Sequence, residues 1–217
     1  MGKAIVGAMA PDVMLDEQTL TEGLQALGHL DADVARAIGE AGRPPLRRRE
    51  PGFKTLLRTI VGQQLSIKAA ATIWSRLEAA VEPLGPARLL EFSDDELRAL
   101  GLIRQKVIYG RALAEDVMSG RVDLSGIAGL NDGDAIAELV KLKGIGRWTA
   151  EVYLLFALGR PDVFPADDLA LMVAAQRVKR LDERPNGAAL RELAENWRPW
   201  RGVAAHFLWH YYKFEPL

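Results

Sequence analysis

The stretch "LKGIGRWTAEVYLLFAL", Leu142–Leu158, decides how this chain is read. Two glycines flank one isoleucine, Lys141, Lys143 and Arg147 surround them, and an apolar helical run follows. One helix ends near Lys141 and the next begins near Arg147. Gly144 and Gly146 admit left-handed backbone angles and strip side chains from the turn, so a ligand can reach the amides. The second helix aims its unpaired N–H groups and the positive end of its dipole at the same spot. An anion is the natural guest there. For a lone G-x-G, a plain helix–helix turn with a glycine C-cap is the simpler alternative. The longer string L-x-G-I-G-x-x-T-A carries more. Leu142 and Ile145 anchor such a turn in the core, and Thr149 and Ala150 let the two helices approach closely.

Outward from the hairpin, the pattern stays helical. "LDEQTLTEGLQALG" and "DADVARAIGEAG" predict two short helices, each closed by a glycine. "RPPLRRREPG" is a proline- and arginine-rich linker. "FKTLLRTIVGQQ" and "SIKAAATIWSRLEAAV" follow, with Ser66 as the N-cap of the second. "SDDELRALG" opens with a capping box, Ser93 and Glu96 three apart. Further helices are predicted over "RQKVIYGRALAEDVMSG", the two arms of the hairpin, "LALMVAAQRVKRL", "GAALRELAENW" and "PWRGVAAHFLWHYYKF". No segment alternates with a two-residue period between turn signals, so no sheet is expected. The class is all-α, with about ten or more helices.

Composition narrows the chemistry. The 217 residues suffice for one domain or two close-packed lobes, and 49% hydrophobic with 26% charged residues is ordinary for a globular chain. There is no cysteine, which removes disulfides, thiolate metal sites, iron–sulfur clusters and cysteine nucleophiles. No apolar run reaches the roughly 20 residues of a membrane helix. The start, "MGKAIVGAMAPDVMLDEQ", makes a poor signal peptide, and an intracellular protein is expected. The net charge is −1, yet residues 1–42 hold two basic and seven acidic residues, which leaves the remainder positive. A local basic strip on such a chain can hold a polyanion.

The hairpin alone marks a binding module, and "GRPDVFPADDLALMVAAQRV" adds a candidate for chemistry. Pro165 ends an extended approach, and Asp167 and Asp168 stand where a helix starts. One of them is expected to cap that helix. The second is not needed for capping. A helix N-terminus is a favourable seat for a negative charge that must face a developing positive one.

The string "LKGIGRWTA" resembles the helix-hairpin-helix motif of DNA repair proteins. The P-x-D-D that follows about twenty residues later matches the helix-hairpin-helix/Gly-Pro-Asp superfamily of DNA glycosylases. "FKTLLRTIVGQQLSIKAAATIW" (53–74) and "ENWRPWRGVAAHFLWHYY" (195–212) narrow the likeness to the 3-methyladenine DNA glycosylase II group, which removes alkylated bases. The resemblance runs from about residue 50 to the C-terminus.

That resemblance implies two helical lobes, 1–51 with 161–217 and 52–160, and a cleft between them for a flipped base, with the hairpin and Asp168 on opposite sides. It implies Asp168 as the catalytic carboxylate. Gly144, Ile145, Gly146, Arg147, Thr149 and Lys143 would bind the DNA backbone. Gln64 would be the wedge that fills the vacated stack, while Gln63 organises the turn and Leu65 either packs or forms pocket wall. Trp148, Trp209, Val152 and Ile67 would line the base pocket, where aromatic rings favour a cationic alkylated purine. Trp74 and Trp197 are expected in the core. Arg198 and Arg201 either orient the aspartate, hold a phosphate or form structural ion pairs. His206 and His210 are expected to pack on a helix face rather than share a metal. The carbonyls of Leu142 and Ile145 would hold a monovalent cation.

Strand-cutting relatives place a lysine two residues after the second glycine, where this chain has Trp148, so an associated lyase is not expected. No cofactor is implied. The implied partner is double-stranded DNA carrying alkylated bases, met by a monomer away from any membrane, in the bacterial cytoplasm or a eukaryotic nucleus. Two alternatives stay open: a non-catalytic helix-hairpin-helix module, and a glycosylase for deaminated or oxidised bases.

Overall fold

The computed structural model describes residues 14–214, apart from the side chain of Ile67. The signal-peptide reading of the N-terminus therefore falls largely outside the described residues. The helices are α1 Glu17–Leu30, α2 Ala32–Ala41, α3 Phe53–Gly62, α4 Ile67–Ala80, α5 Pro86–Leu90 and α6 Asp94–Ala99. They continue as α7 Arg104–Met118, α8 Asp132–Leu139, α9 Arg147–Phe156, α10 Leu169–Lys179, α11 Gly187–Ala194 and α12 Arg201–Lys213. Two 3₁₀ turns, Gly126–Gly129 and Glu195–Trp197, complete them. Among the described residues there is no strand, and no helix is long and apolar enough to cross a membrane. The all-α class is what the sequence periodicity predicts.

Two compact units divide the chain. One joins Met1–Arg48 to Leu154–Leu217, and the other is the continuous segment Arg49–Tyr153. In the discontinuous unit, α1, α2, α10 and α12 pack around Leu20, Leu27, Leu171, Trp197, Val203 and Phe207, all buried. Each fully buried large apolar side chain contributes about 1.5–3 kcal/mol relative to exposure.

Two polar features fasten this unit. Leu15 N donates to Gly159 O at 2.7 Å, and Arg48 Nη1 donates to Leu15 O at 2.9 Å. Asp31 is a four-way junction. Its Oδ1 caps α2 through Asp33 N and Val34 N and accepts Lys179 Nζ at 2.8 Å, while Oδ2 accepts Trp197 Nε1 at 2.9 Å. Burial opposes the charge of Asp31, but the Lys179 and Trp197 hydrogen bonds outweigh it and hold its pKa below the ordinary carboxylate value.

Asp31 also overturns one sequence expectation. α1 does not close at Gly28. It runs on to Leu30, because Asp31 ends α1 and starts α2 within a single residue. That junction leaves no room for a glycine turn.

In the continuous unit, α3, α4 and α7 bury Leu56, Leu57, Ile60, Leu77, Val107 and Leu113. The predicted caps form: Ser66 Oγ accepts Ala69 N at 3.2 Å, and Ser93 and Glu96 make the reciprocal capping box. Trp74 is buried here as expected. Tyr153 Oη accepts Gly52 N at 2.9 Å and ties the start of α3 to α9.

Candidate DNA-binding and catalytic site

The hairpin between α8 and α9 is built from the inside out. Leu142 and Ile145 are buried, and the Ile145 amide donates to Leu142 O at 3.0 Å. Thr149 and Ala150 are buried behind them. The two glycines, both able to take left-handed angles, do different work. Gly144 has φ +86°, and a Cβ there would overlap the Tyr109 ring. Gly146 is not in the left-handed region, and a Cβ on it meets no atom within 4 Å. The first glycine makes the turn, and the second keeps its outer surface bare.

Around them, Lys143, Gly146 and Arg147 are exposed. Arg147 Nε donates to the buried Glu151 at 2.8 Å, so its guanidinium is anchored at one edge. Thr149 turns its hydroxyl inward, 3.3 Å from Gln63 Nε2, rather than toward solvent. Gln63 Nε2 also donates to Gly144 O at 2.9 Å and so organises the turn, as the sequence suggests.

Next to it, Gln64 is exposed and holds a left-handed φ of +55°, an uncommon conformation for a residue with a side chain. Leu65 is 38% exposed, which does not fit core packing and leaves the pocket-wall alternative. Val152 is buried on α9, and Trp148 is half-buried at its first turn. The side chain of Ile67 lies outside the described residues. A groove of about 320 Å³ runs beside both turns, lined by Gln63, Gln64, Gln105, Lys106, Tyr109 and the hairpin glycines, among others.

The discontinuous unit holds the carboxylate. "FPADD" folds tightly, with Ala166 N on Phe164 O at 2.9 Å and Asp168 N on Pro165 O at 3.0 Å. Asp168 is the N-cap of α10. Its Oδ1 accepts Ala170 N at 2.9 Å, Leu171 N at 3.1 Å and Trp209 Nε1 at 3.1 Å. From the sequence, capping and chemistry divide between two carboxylates. The structure puts the cap on the chemical candidate itself. Asp167 instead pairs with Arg191 at 3.0 Å and fills the space above Gly187 at the start of α11.

Trp209 is half-buried on α12. Its ring lies 5.2 Å from that of Phe156, a residue the sequence reading passed over because a phenylalanine at the end of an apolar helix looks like core. Arg198 and Arg201 are not partners of the aspartate at the start of α10. They close on Asp162 and Glu195, at 2.6–3.2 Å, as structural ion pairs. Trp197 is buried as expected.

The two histidines separate. His210 Nε2 lies 2.9 Å from Ala41 O, whereas His206 is 4% exposed with its ring edge-on to Phe156 at 5.0 Å. Burial, aided by the charge of Arg47, lowers the His206 pKa from 6.5 to about 4. The unfolded chain therefore takes up that proton first as pH falls. The stabilisation is complete above pH 6.5 and is lost as pH drops toward 4. Between pH 7 and pH 5 the loss from this group is about 2 kcal/mol. Urea unfolding of the wild type and His206→Leu across that window measures it. The variant should lack most of the pH slope, and equal slopes would show that the imidazole titrates freely.

Comparison with known proteins gives the family. Residues 57–199 match the family described as HhH-GPD superfamily base excision DNA repair protein. The chain belongs to that superfamily. It is a base-excision DNA glycosylase, an enzyme whose partner is DNA. Within it, the chain falls in the 3-methyladenine DNA glycosylase group. It is 32% identical to DNA-3-methyladenine glycosylase 1 of Schizosaccharomyces pombe over 213 residues, covering 93% of this chain and 92% of that one. The solved 3-methyladenine DNA glycosylase of Schizosaccharomyces pombe in complex with abasic DNA superposes with a TM-score of 0.80 at 29% identity, over 87% of this chain and 95% of the other. The DNA-3-methyladenine glycosidase of Bacillus halodurans gives 0.79 at 34% identity, over 88% and 89%.

Proposed function

We propose that this glycosylase is monofunctional and excises alkylated purines of the 3-methyladenine type from double-stranded DNA, acting as a monomer. The observation that carries the reading is the setting of Asp168. Its carboxylate is fixed by two backbone amides at the start of α10 and by the indole of Trp209, which in turn stacks near Phe156. A preorganised anion beside aromatic faces suits a cationic base leaving a sugar that becomes positive.

In this mechanism the nucleotide is extruded, with Gln64 entering the stack and the hairpin surface around Lys143, Gly146 and Arg147 holding phosphate. The bond between C1′ and the base nitrogen breaks, and its electron pair leaves with the base, quenching the alkyl-induced charge. Asp168 stabilises the oxocarbenium-like sugar and orients the water that attacks C1′. The water's proton passes to solvent and an abasic site remains. Leu142 O already accepts the Ile145 amide and keeps one lone pair, so the Leu142 and Ile145 carbonyls would hold a monovalent cation, which would supply positive charge favourable to a phosphate.

Trp148, standing two residues past Gly146, has no amine to form an imine with the sugar. Product strands should therefore stay intact until heated in alkali, and borohydride should trap no covalent protein–DNA adduct. A trapped adduct would overturn the monofunctional reading. Incubation with methylated DNA and identification of the released bases tests the substrate class. Release of N3- and N7-methylpurines supports it, and release of only deaminated or oxidised bases removes it.

A further inference from the structure

Lys106, on the first turn of α7, is 6% exposed, and among the described residues no carboxylate pairs with it. Its Nζ donates to Val61 O at 2.7 Å. Burying an ammonium without an anion is unfavourable, and desolvation lowers its pKa accordingly. A fold does not keep such a group for packing alone, since an apolar side chain of the same length would fill the space at less cost.

The carbonyl it holds is informative. Val61 lies in the last turn of α3, where backbone carbonyls lack partners within the helix. Helices are commonly closed by a glycine in the left-handed region. Here α3 ends at Gly62 with Gln63 as its C-cap, and the left-handed residue is Gln64, at φ +55°. A side chain resists that angle, so something outside the turn must hold it.

α7 supplies the support at two points. Lys106 seizes the end of α3, and one turn later Tyr109 packs over Gly144, where a Cβ would overlap its ring. Gln105 Nε2 fixes that ring by donating to Tyr109 Oη at 2.5 Å. Gln63 then joins the two supported turns through Gly144 O. Lys106 and Tyr109 line the same groove as Gln64 and the hairpin glycines.

We propose that Lys106 is a positioning residue for base extrusion: its ammonium braces the end of α3 so that Gln64 is already in its inserting conformation when DNA arrives. This rests on the wedge reading of Gln64 given above. Lys106 touches no reacting atom. It acts by keeping a strained turn populated before binding, so the cost of ordering that turn is not met during extrusion.

The test is single-turnover excision by wild type, Lys106→Met, Lys106→Arg, Gln64→Ala and the Lys106→Met/Gln64→Ala double variant. Two substrates carry the same N7-methylpurine, one paired in a duplex and one in an unpaired bubble. Lys106→Met should slow the paired substrate about ten- to a hundredfold, the range for losing a hydrogen bond to a charged group. The unpaired substrate, which needs little extrusion, should slow far less. Lys106→Arg should recover most of the rate. The double variant should be no slower than the slower single one. In hydrogen exchange, the amides of residues 62–66 should lose protection in Lys106→Met.

Equal slowing on both substrates, multiplying effects in the double variant, or unchanged exchange at 62–66 would each overturn the brace. Failure of the wedge reading looks different: Gln64→Ala alone would run at the wild-type rate on the paired duplex.

Discussion

Asp168→Asn should cut single-turnover excision by on the order of 10²–10³-fold or more, while binding to an abasic-site duplex stays within a few-fold of wild type. The substitution is unusually clean. Asparagine is as good an N-cap as aspartate, and its carbonyl oxygen can still accept Ala170 N, Leu171 N and Trp209 Nε1. The helix start, the indole orientation and the shape all survive. What disappears is the negative charge that the proposed mechanism sets against the sugar. Asp168→Ala is a poorer test, because it also removes the cap, at about 1 kcal/mol, and strips Trp209 of its partner. Asp167→Asn is the control. It breaks an exposed pair with Arg191, of the kind that contributes about 0–1 kcal/mol, and should leave excision near wild type. If Asp167→Asn is dead and Asp168→Asn is active, the assignment is reversed and the reading of the capped carboxylate fails.

The second large effect separates the two hairpin glycines. Gly144→Ala should destabilise the protein by about 2–4 kcal/mol, because a side chain is forced into the left-handed region and into the Tyr109 ring. Gly146→Ala should be nearly silent in stability, since nothing lies within 4 Å of its added Cβ. Gly146→Glu should therefore fold, yet lose about tenfold or more in DNA affinity, because it covers the amides and sets a carboxylate against phosphate. The weakening should be similar for intact, alkylated and abasic duplexes, since phosphate contacts position without specifying. Denaturant midpoints and titrations on the three duplexes report both halves. Should Gly146→Glu bind all three like wild type, the hairpin is only a turn.

Much of the fold is legible in the sequence because local signals act alone. Ser66, Ser93 with Glu96, and the Leu142–Ile145 anchors need only their own few neighbours to form, and they do. Where the reading goes astray, a distant residue decides. Gly28 looks like a helix stop, but Asp31 is held by Lys179 and Trp197, more than 140 residues away in the chain, and carries α1 through it. The short α5 begins at Pro86 without a side-chain cap and spans five residues, too few to show a helical period.

The site shows the same division. Asp168 and Gln63 are readable from motif and turn. Phe156 becomes interesting only once α12 sets Trp209 beside it, and Lys106 only once α7 lies under the end of α3. Asp167 and Asp168 could not be told apart as cap and partner from their order alone. Arg191, which claims Asp167, lies 24 residues downstream.

The discontinuous unit has a consequence for how the chain is made. Synthesis runs from the N-terminus, so α1 and α2 leave the ribosome long before α10 and α12, the surfaces they pack on, exist. The continuous segment Arg49–Tyr153 has all its partners in hand as it emerges and can condense first. Through that interval Leu20, Leu24 and Leu27 on α1 have no core to enter, and the Asp31 junction has neither its lysine nor its indole. The nascent N-terminal helices are thus the part of the chain most exposed to mispairing and most in need of shelter. A stop codon before α10 leaves them without either surface.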